Sequence, residues 1–331
     1  MSTDSPASGL PAETLSRAHG LIEALRAEVG RAFLGQRNVV DETLTVLLAG
    51  GHVLIEGVPG LGKTLLVQAL AQAIGGRYAR IQFTPDLMPA DVTGHTLYDP
   101  ASGQFTTRHG PVFANLLLAD EINRAPAKTQ AALLEVMQEG QVTLDGESHR
   151  LDPPFMVLAT QNPVEQEGTY ALPEAQLDRF MLKVLIDYPS SEEEGAILAF
   201  ATSGRSDERL QVDAVRPVLS TEVLLTLRKV TARLAVDQRV LDYALRIVRA
   251  TRDFPGIAAG ASTRGAIALV RSARALALLN GRDFVTPDDL KQLAPAALRH
   301  RIVATPDYAI EGRTPDMLVR ELLETIEAPR L

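Results

Sequence analysis

Cysteine is absent from the 331-residue sequence, and so is tryptophan. Without cysteine the chain has no disulfide, no thiolate zinc site and no thiol nucleophile, a pattern that suits a reducing compartment. The six histidines fall into no metal-ligand spacing, and the sequence contains neither H-E-x-x-H nor G-x-S-x-G. These absences exclude the zinc-protease helix and the nucleophile turn of the α/β hydrolases.

Positive charge is also scarce. Lys and Arg total 33 against 41 Asp and Glu, for a net charge of −8. A surface that binds the phosphates of a nucleic acid backbone needs clustered Lys and Arg. We therefore expect no nucleic acid partner. No apolar run reaches the roughly 18–20 residues that cross a bilayer, so we expect no membrane span and a soluble, cytoplasmic protein. Residues 1–12 lack the basic and apolar parts of a signal peptide, and we expect a disordered lead-in there.

Short, nearly continuous apolar runs alternate with helical patterns in the first part of the chain. Such runs are typical of parallel strands that helices cover on both faces. The predicted strands are His52–Glu56, Tyr78–Phe83, Asn115–Ala119, Phe155–Thr160 and Met181–Asp187. Two helices are predicted before the first strand, at about Glu13–Phe33 and Val39–Ala49. The predicted fold class is therefore α/β, with three layers and a mostly parallel sheet.

Two stretches interrupt this alternation. Thr84–Gln104 is rich in Pro, Asp and Gly and shows no helical pattern, whereas Gln141–Leu151 carries strand-like flanks around Asp145-Gly146, which is a hairpin signal. From Glu192 onward the pattern is helical to near the end of the chain, with no convincing strand. We therefore predict a core at 13–189 and a small all-helical domain at 190–331.

A glycine-rich loop follows the first predicted strand. Its sequence GVPGLGKT, Gly57–Thr64, has the spacing G-x-x-x-x-G-K-T. A triphosphate requires a curl of backbone N–H donors at a helix N-terminus, and only a loop with few Cβ atoms folds that tightly. A chance glycine-rich turn is the alternative, and the flanking strand and helix disfavour it. The predicted contacts to ATP or ADP are Gly57, Pro59, Gly60, Leu61, Gly62, Lys63, Thr64 and Leu65.

Within this loop two side chains have specific expected roles. Lys63 reaches the β- and γ-phosphates, and the Thr64 hydroxyl is a ligand of Mg²⁺. Two adjacent carboxylates, Asp120 and Glu121, end the strand NLLLADE. Because successive strand residues point to opposite faces, we expect the two carboxylates to diverge. Asp120 then holds the magnesium shell while Glu121 orients and polarises the attacking water. Without the phosphate loop, a solvated acidic strand end would be the better interpretation.

A neutral amide ends another apolar strand, in Gln161-Asn162-Pro163. Asn162 is placed to position water beside the γ-phosphate and to register whether that phosphate is present. A turn-forming Asn before Pro163 accounts for the string equally well.

Five strings in a fixed order resemble the MoxR family of AAA+ ATPases, from about Gly35 to the end of the chain. They are GVPGLGKT, ADEINRAPAKTQAALLEVMQE, ATQNP, ALPEAQLDRF and GASTRG. The resemblance implies an AAA+ core with the strand order 5-1-4-3-2, followed by an α-helical lid. It also implies two inserted hairpins, and Thr84–Gln104 and Gln141–Leu151 lie where these insertions belong.

The resemblance further implies roles for residues outside the phosphate loop. Arg179 matches the arginine finger that enters the neighbouring subunit's site, and Arg264 matches the second sensor of the lid. A guanidinium suits both roles, since its fixed charge and forked donors stabilise charge on phosphate oxygens. Surface salt bridges are the alternative for both, and Arg124 is a rival for the contact between subunits. The segment that lies against adenine is matched by Leu34, Gly35 and Gln36.

One departure from the family pattern concerns Arg264. The family usually has Pro where Thr263 stands and more commonly Ala where Gly265 stands, so the helix that carries the sensor could begin differently here.

A ring-forming ATPase is the function that these patterns favour. We expect a homo-oligomer, a hexamer, in which Arg179 acts in trans, and the resemblance implies a chaperone that remodels or assembles protein complexes. Family members often act with a protein that carries a von Willebrand factor A domain. The alternatives are a DNA-processing AAA+ ATPase and a nucleotide switch that does not hydrolyse ATP.

Overall fold

The computed structural model describes residues 10–100, 103–162, 169–202 and 211–330. Residues 1–9 of the predicted lead-in, and Pro163 of the ATQNP string, lie outside the described residues. Within them the strands are β1 (Val53–Glu56), β2 (Tyr78–Gln82), β3 (Gly94–Asp99), β4 (Gln104–His109), β5 (Leu116–Asp120), β6 (Gln141–Leu144), β7 (Glu147–Arg150), β8 (Met156–Gln161), β9 (Leu182–Leu185), β10 (Ile257–Ala259) and β11 (Val303–Ala304).

Helices surround and follow these strands. They are α1 (Ala12–Ala32), α2 (Arg37–Ala49), α3 (Lys63–Ala73), α4 (Pro89–Thr93), α5 (Ala127–Glu139), α6 (Glu174–Leu177), α7 (Ser191–Thr202), α8 (Thr221–Arg233), α9 (Gln238–Ala250), α10 (Thr263–Leu279), α11 (Pro287–Leu298), α12 (Pro306–Ile310) and α13 (Pro315–Thr325). Across the described ranges, none of these helices combines the length and apolar character needed to cross a membrane.

The central sheet has five parallel strands in the order β2-β5-β8-β1-β9. Counted among the sheet strands alone, this is 5-1-4-3-2 read from the other edge, so the expected α/β class and strand order are confirmed. β8 lies between β1 and β5 and pairs Ala159 with both Leu54 and Ala119. The ends of these three strands therefore lie side by side at one edge of the sheet.

Both faces of the sheet are buried, which explains the continuous apolar runs. Ile55 and Leu118 belong to a core cluster shared with α1, α2, α3 and the C-terminal helices. Leu54 and Leu117 point the other way, into a cluster shared with α5 and the β6–β7 region. Since successive side chains of a strand leave opposite faces, four-residue strands such as β1 fill two cores at once.

Antiparallel pairs of strands lie at both interruptions, although the first pair extends past Gln104 to His109. β3 pairs with β4, and β6 pairs with β7 through the turn Asp145-Gly146, whose φ angles are 49° and 86°. Helix α4 also lies in Thr84–Gln104, where the sequence shows no helical pattern. This helix has five residues, begins with Pro89 and is capped by Asp91, which accepts from the Met88 N–H. One turn is too short to produce a periodic pattern in the sequence.

The chain after residue 190 is mostly helical, as expected, with one exception. β10 and β11 form a two-stranded antiparallel sheet, so the prediction of no strand in this part was wrong. The two strands have three and two residues, which is too few to show alternation. α10 packs on α2, and α11 packs beside β9. The division of the chain near residue 189 stays a prediction.

Two histidines are held neutral inside this fold. The Nδ1 atom of His52 accepts from the Val157 N–H at 2.9 Å, and its Nε2 lies 3.1 Å from the Met137 carbonyl oxygen. Burial lowers the pKa of His52 to about 4. His300 is buried with Nε2 3.0 Å from the Phe180 carbonyl, and burial likewise lowers its pKa well below the ordinary value. A proton on either ring would leave a buried charge without a counter-ion.

These two histidines should make folding stability fall in acid. The unfolded chain takes up protons below pH ~6.5, while the folded chain does so only near pH 4 for His52. The free energy of unfolding should therefore fall as the pH drops through this window, by up to about 1.4 kcal/mol per pH unit for each histidine. Urea titrations between pH 7.5 and 5 would measure the slope.

His300→Gln should remove one histidine's share of that slope. The control is His95→Gln, since His95 is exposed on β3. An unchanged slope in His300→Gln, or an equal loss in the control, would contradict the assignment.

Candidate functional site

The glycine-rich loop joins β1 to α3 and is shaped by backbone conformations that favour glycine. Gly60 and Gly62 have φ angles of 85° and 77°, in the left-handed region where a Cβ is strained. A Cβ on Gly57 would lie 2.5 Å from the Ile186 carbonyl oxygen, so the chain can pass there only without a side chain. Gly62 is the N-cap of α3, and the first-turn amides of a helix have no acceptor within it. The loop is therefore a preformed anion site.

Lys63 begins α3 and turns back over the loop, where its ammonium donates to the Gly57 carbonyl. Burial lowers the pKa of Lys63, and the charges of Asp120, Glu121 and Glu56 act in the opposite direction. Lys63 thus lies in the field of the two carboxylates predicted for hydrolysis. The structure brings the loop and the end of β5 together, as the sequence predicts.

Asp120 ends β5 and is held by two side chains. The Thr160 hydroxyl, on neighbouring β8, donates to its Oδ1 at 2.6 Å. The Arg80 guanidinium, on β2, donates to its Oδ2 at 2.7 Å. Neither partner was identified from the sequence, because register between β2, β5 and β8 is what places them beside Asp120.

Glu121 departs from strand geometry, with a φ of 56°. Its N–H donates to the Thr160 hydroxyl oxygen at 2.8 Å, and its Oε2 accepts from Gln82 Nε2 at 2.7 Å and from Arg124 Nη1 at 3.1 Å. A non-glycine residue in this region is uncommon and clusters at functional sites.

The two carboxylates do not diverge as predicted. Arg80, which holds Asp120, also donates to the Gln82 side-chain oxygen, so Asp120 and Glu121 join one hydrogen-bonded network. The prediction failed because the left-handed backbone at Glu121 breaks the alternation of the strand. Arg124 forms an ion pair with Glu121 of its own chain, and its contact with a neighbouring subunit stays a prediction.

Asn162 is buried directly after β8, between the strands that carry the loop and the carboxylates. The residue before it, Gln161, pairs with Glu56, and its carbonyl accepts from the Gly57 N–H at 3.4 Å. This position is next to the phosphate loop, as the sequence predicts. The role of Asn162 stays a prediction.

The segment expected at adenine lies close to the same loop. Phe33, just before Leu34, would stand 3.2 Å from a Cβ on Gly62. Gly35 and Gln36 have positive φ angles of 72° and 45°. The Gln36 N–H donates at 2.9 Å to Glu193, at the start of α7. Sequence reasoning missed Glu193, since nothing local signals a contact 157 residues away.

Arg179 and Arg264 lie at the other edge of the sheet. Both line a cavity of about 270 Å³ that also includes Gly51 and Met181, which precede β1 and β9. The Arg179 guanidinium donates to the Leu134 carbonyl. Arg264 is exposed in the first turn of α10. Gly57 comes six positions after Gly51 through the extended strand β1, which corresponds to about 20 Å. The structure therefore does not bring these arginines to the phosphate loop of their own chain.

The departures at Thr263 and Gly265 leave the sensor helix normally formed. α10 begins at Thr263, and the Ser262 hydroxyl caps it by accepting from the Arg264 N–H at 3.1 Å. Gly265 is buried, and a Cβ there would lie 3.3 Å from Ala261 and Arg301. Arg264 is thus anchored by a regular helix start.

The oxygen atoms near the loop fit a magnesium ion bound with a nucleotide. Thr64 supplies a hydroxyl and Asp120 a carboxylate, and Mg²⁺ commonly binds through one or two such groups plus phosphates and waters. No group of three or more His, Cys, Asp or Glu suited to a metal occurs in the described parts of the chain. A dedicated all-protein cage is therefore not what these residues form.

Comparison with known proteins places this geometry in a family. The model of the ATPase family associated with various cellular activities (AAA) matches residues 52–182, and the model of the AAA lid domain matches residues 249–322. A crystal structure of a candidate ATPase from Cytophaga hutchinsonii superimposes with a TM-score of 0.87 and 41% identity, over 96% of this chain and 98% of that one.

Full-length relatives give the same result. Uncharacterized protein YeaC of Bacillus subtilis is 45% identical over 94% of this chain and 96% of its own length. Chaperone MoxR1 of Mycobacterium tuberculosis is 44% identical over 99% of this chain and 88% of its own length. With a phosphate loop, an Asp-Glu strand end and a helical lid in the matching order, the chain belongs to the MoxR family of AAA+ ATPases.

Proposed function

We propose that the protein is a Mg²⁺-dependent ATPase that hydrolyses ATP to ADP and phosphate as a homo-oligomeric ring. The observation that supports the ring is the distance between the two halves of the site. The phosphate loop, Asp120, Glu121 and Asn162 gather at one edge of the sheet, while Arg179 and Arg264 lie about 20 Å away at the other edge. A second copy is the natural source of the missing guanidinium.

Each group on the loop side has a separate task. The loop amides and Lys63 bind the phosphates, and Thr64 and Asp120 hold Mg²⁺, which when bound neutralises phosphate charge. Glu121 orients and polarises the attacking water, with Asn162 beside it. Gln82 and Arg124 donate to the Glu121 carboxylate, so they are the side chains that orient it.

Both arginines act in trans in this proposal. Arg179 and Arg264 line one cavity, so a single neighbouring nucleotide could meet both guanidinium groups. In this proposal Arg264, the residue that matches the second sensor, contacts the ATP bound to the neighbouring copy and not the ATP bound to its own chain. A ring closes when such head-to-tail contacts repeat, and we propose six copies.

The work of the ring is the remodelling or assembly of other proteins. The relative named Chaperone MoxR1 supports a chaperone-like role, because this chain matches it over almost its whole length. We further propose that a protein with a von Willebrand factor A domain presents the client.

The first prediction from the proposed function concerns the division of labour between neighbours. Arg179→Ala and Glu121→Gln should each lower ATP turnover, by roughly a thousandfold for the arginine. An equal mixture should recover activity, because with random mixing about a quarter of the interfaces pair an intact Glu121 with an intact Arg179. Steady-state phosphate release measures all three samples.

If the mixture releases phosphate no faster than the separate variants, the proposal that Arg179 acts on the neighbour's site is wrong. Glu121→Gln mixed with the double variant Glu121→Gln/Arg179→Ala is the matched control and should stay inactive.

The second prediction separates trans from cis action of Arg264. Arg264→Ala should lower turnover of the assembled protein while leaving nucleotide affinity of the dilute single chain unchanged. Fluorescent ATP-analogue binding below the assembly concentration gives that affinity. Arg320→Ala, an exposed arginine on α13, is the control for loss of one positive charge. A weakened affinity in the single chain would place Arg264 on its own nucleotide.

The third prediction concerns the client. Glu121→Gln should hold ATP without hydrolysing it and so retain clients that the wild type releases. Affinity capture from the native host, with Lys63→Ala as the control that lacks the phosphate contact, measures the difference. Equal recovery with both variants would contradict a nucleotide-dependent client cycle.

A further inference from the structure

Helix α10 carries a cationic stripe on its outer side. Arg264, Ile267, Arg271 and Arg274 follow at intervals of three, four and three residues, so they share one face of the helix. Arg228 and Lys229 of α8 lie beside Arg271 and Arg274, and these four cations line a cavity of about 440 Å³. The cationic face is defined here as Arg228, Lys229, Arg264, Arg271 and Arg274.

This face has more hydrogen-bond donors than acceptors. Arg228 Nε donates to the Leu47 carbonyl at 2.8 Å and Arg271 Nη2 to the Ala49 carbonyl at 2.6 Å, at the end of α2. Arg228 Nη2 and Arg274 Nε are buried and have no acceptor. Burial and the neighbouring Arg271 charge lower the pKa of Arg228 to about 10. The described residues that line the cavity include no carboxylate.

Helix α7 has the opposite character. Its first turn carries Glu192, Glu193 and Glu194, and the following residues Gly195–Phe200 are all small or apolar. No residue of α7 whose exposure is described is buried, and Leu198 is 66% exposed. An apolar helix left this open to water is a common sign of an interaction surface.

α7 also lies at the edge of the sheet that carries the phosphate loop. Glu193 accepts from the Gln36 N–H, and Ile186, shortly before α7, packs against Gly57. The cationic face begins at Arg264, at the opposite edge. The two surfaces are thus on opposite sides of one chain, as a head-to-tail contact requires.

We propose that α7 of one copy docks on the cationic face of the next, with its acidic turn toward Lys229, Arg271 and Arg274 and its apolar part toward Ile267. This inference depends on the proposed ring, and it identifies a surface through which neighbouring copies of the ring bind each other. Ile267, 54% exposed between Arg264 and Arg271, offers an apolar partner for Leu198.

Distances along α10 agree with this docking. Seven residues separate Arg264 from Arg271, which is about 10 Å at 1.5 Å per residue. If Arg264 contacts the phosphates of the neighbouring copy, Arg271 lies about 10 Å from those phosphates along the neighbour's surface. This distance is about the diameter of one helix. The start of α7 lies beside the adenine segment of that same site, through the contact between Glu193 and Gln36.

Opposite charges on the two faces also select the polarity of the ring. Two cationic faces repel each other, and so do two acidic turns, so a two-fold dimer through either surface is disfavoured. Only the contact between an acidic turn and a cationic face remains favourable. An open row of copies then has an uncontacted acidic turn at one end and an uncontacted cationic face at the other, until the ring closes.

Charge reversal tests the contact in the full-length chain. Lys229→Glu and Glu194→Lys are suitable, because both side chains are exposed, whereas Arg228 and Arg271 also hold the end of α2. Each reversal should raise the protein concentration at half-assembly, measured by sedimentation with a non-hydrolysable ATP analogue, by roughly threefold to fivefold. The double variant restores opposite charges between copies and should return toward the wild type.

An apolar variant tests the same contact without charge. Leu198→Ser should weaken assembly while leaving the unfolding free energy of the dilute chain unchanged, since Leu198 is already exposed. Ile310→Ser is the matched control, because Ile310 is 86% exposed on α12 and lies outside the proposed contact. Assembly of the control should equal that of the wild type.

The outcomes separate this contact from the ring itself. If the wild type assembles and all three contact variants assemble equally well, the contact is wrong and the ring stands. If the wild type binds the analogue but never assembles, both are wrong. Salt-dependent DNA binding that Lys229→Glu abolishes, with assembly unaffected, would assign the cationic face to nucleic acid and overturn the contact.

Discussion

The polarity of the parallel sheet is the constraint on which the rest of this protein depends. All five strands point the same way, so residues that follow strands gather at one edge and residues that precede strands gather at the other. Asp120 ends a strand, and the phosphate loop, Glu121 and Asn162 follow strands. Arg179 precedes β9 and is thereby held a strand's length from the phosphates. No local rearrangement of a packed sheet brings the two groups together within one chain.

The charged groups of the loop side all have partners within the chain. Lys63 donates to the Gly57 carbonyl, Asp120 is paired with Arg80, and Glu121 is held by Gln82 and Arg124. Partly buried charges need such partners, because an unpaired one is costly away from water. In the proposed function, ATP and Mg²⁺ compete with these contacts for the same side chains.

Much of the loop side could be predicted from the sequence, because its signals are local. The spacing Gly57–Thr64 and the apolar strand before Asp120 each lie within a few residues. The partners Arg80, Gln82, Thr160 and Glu193 could not be predicted, since each depends on strand register or on packing between distant segments. Short elements such as α4, β10 and β11 left no periodic pattern. The left-handed backbone at Glu121 also has no sequence signal, and it overturned the expected divergence of the two carboxylates.

The dependence of ATP turnover on protein concentration shows whether a neighbouring copy completes each site. If each site is completed by a neighbour, ATP turnover per chain should rise with concentration and level off where sedimentation shows assembly to be complete. A turnover per chain that stays constant down to dilutions containing only single chains would contradict the account, because one chain would then possess a complete site.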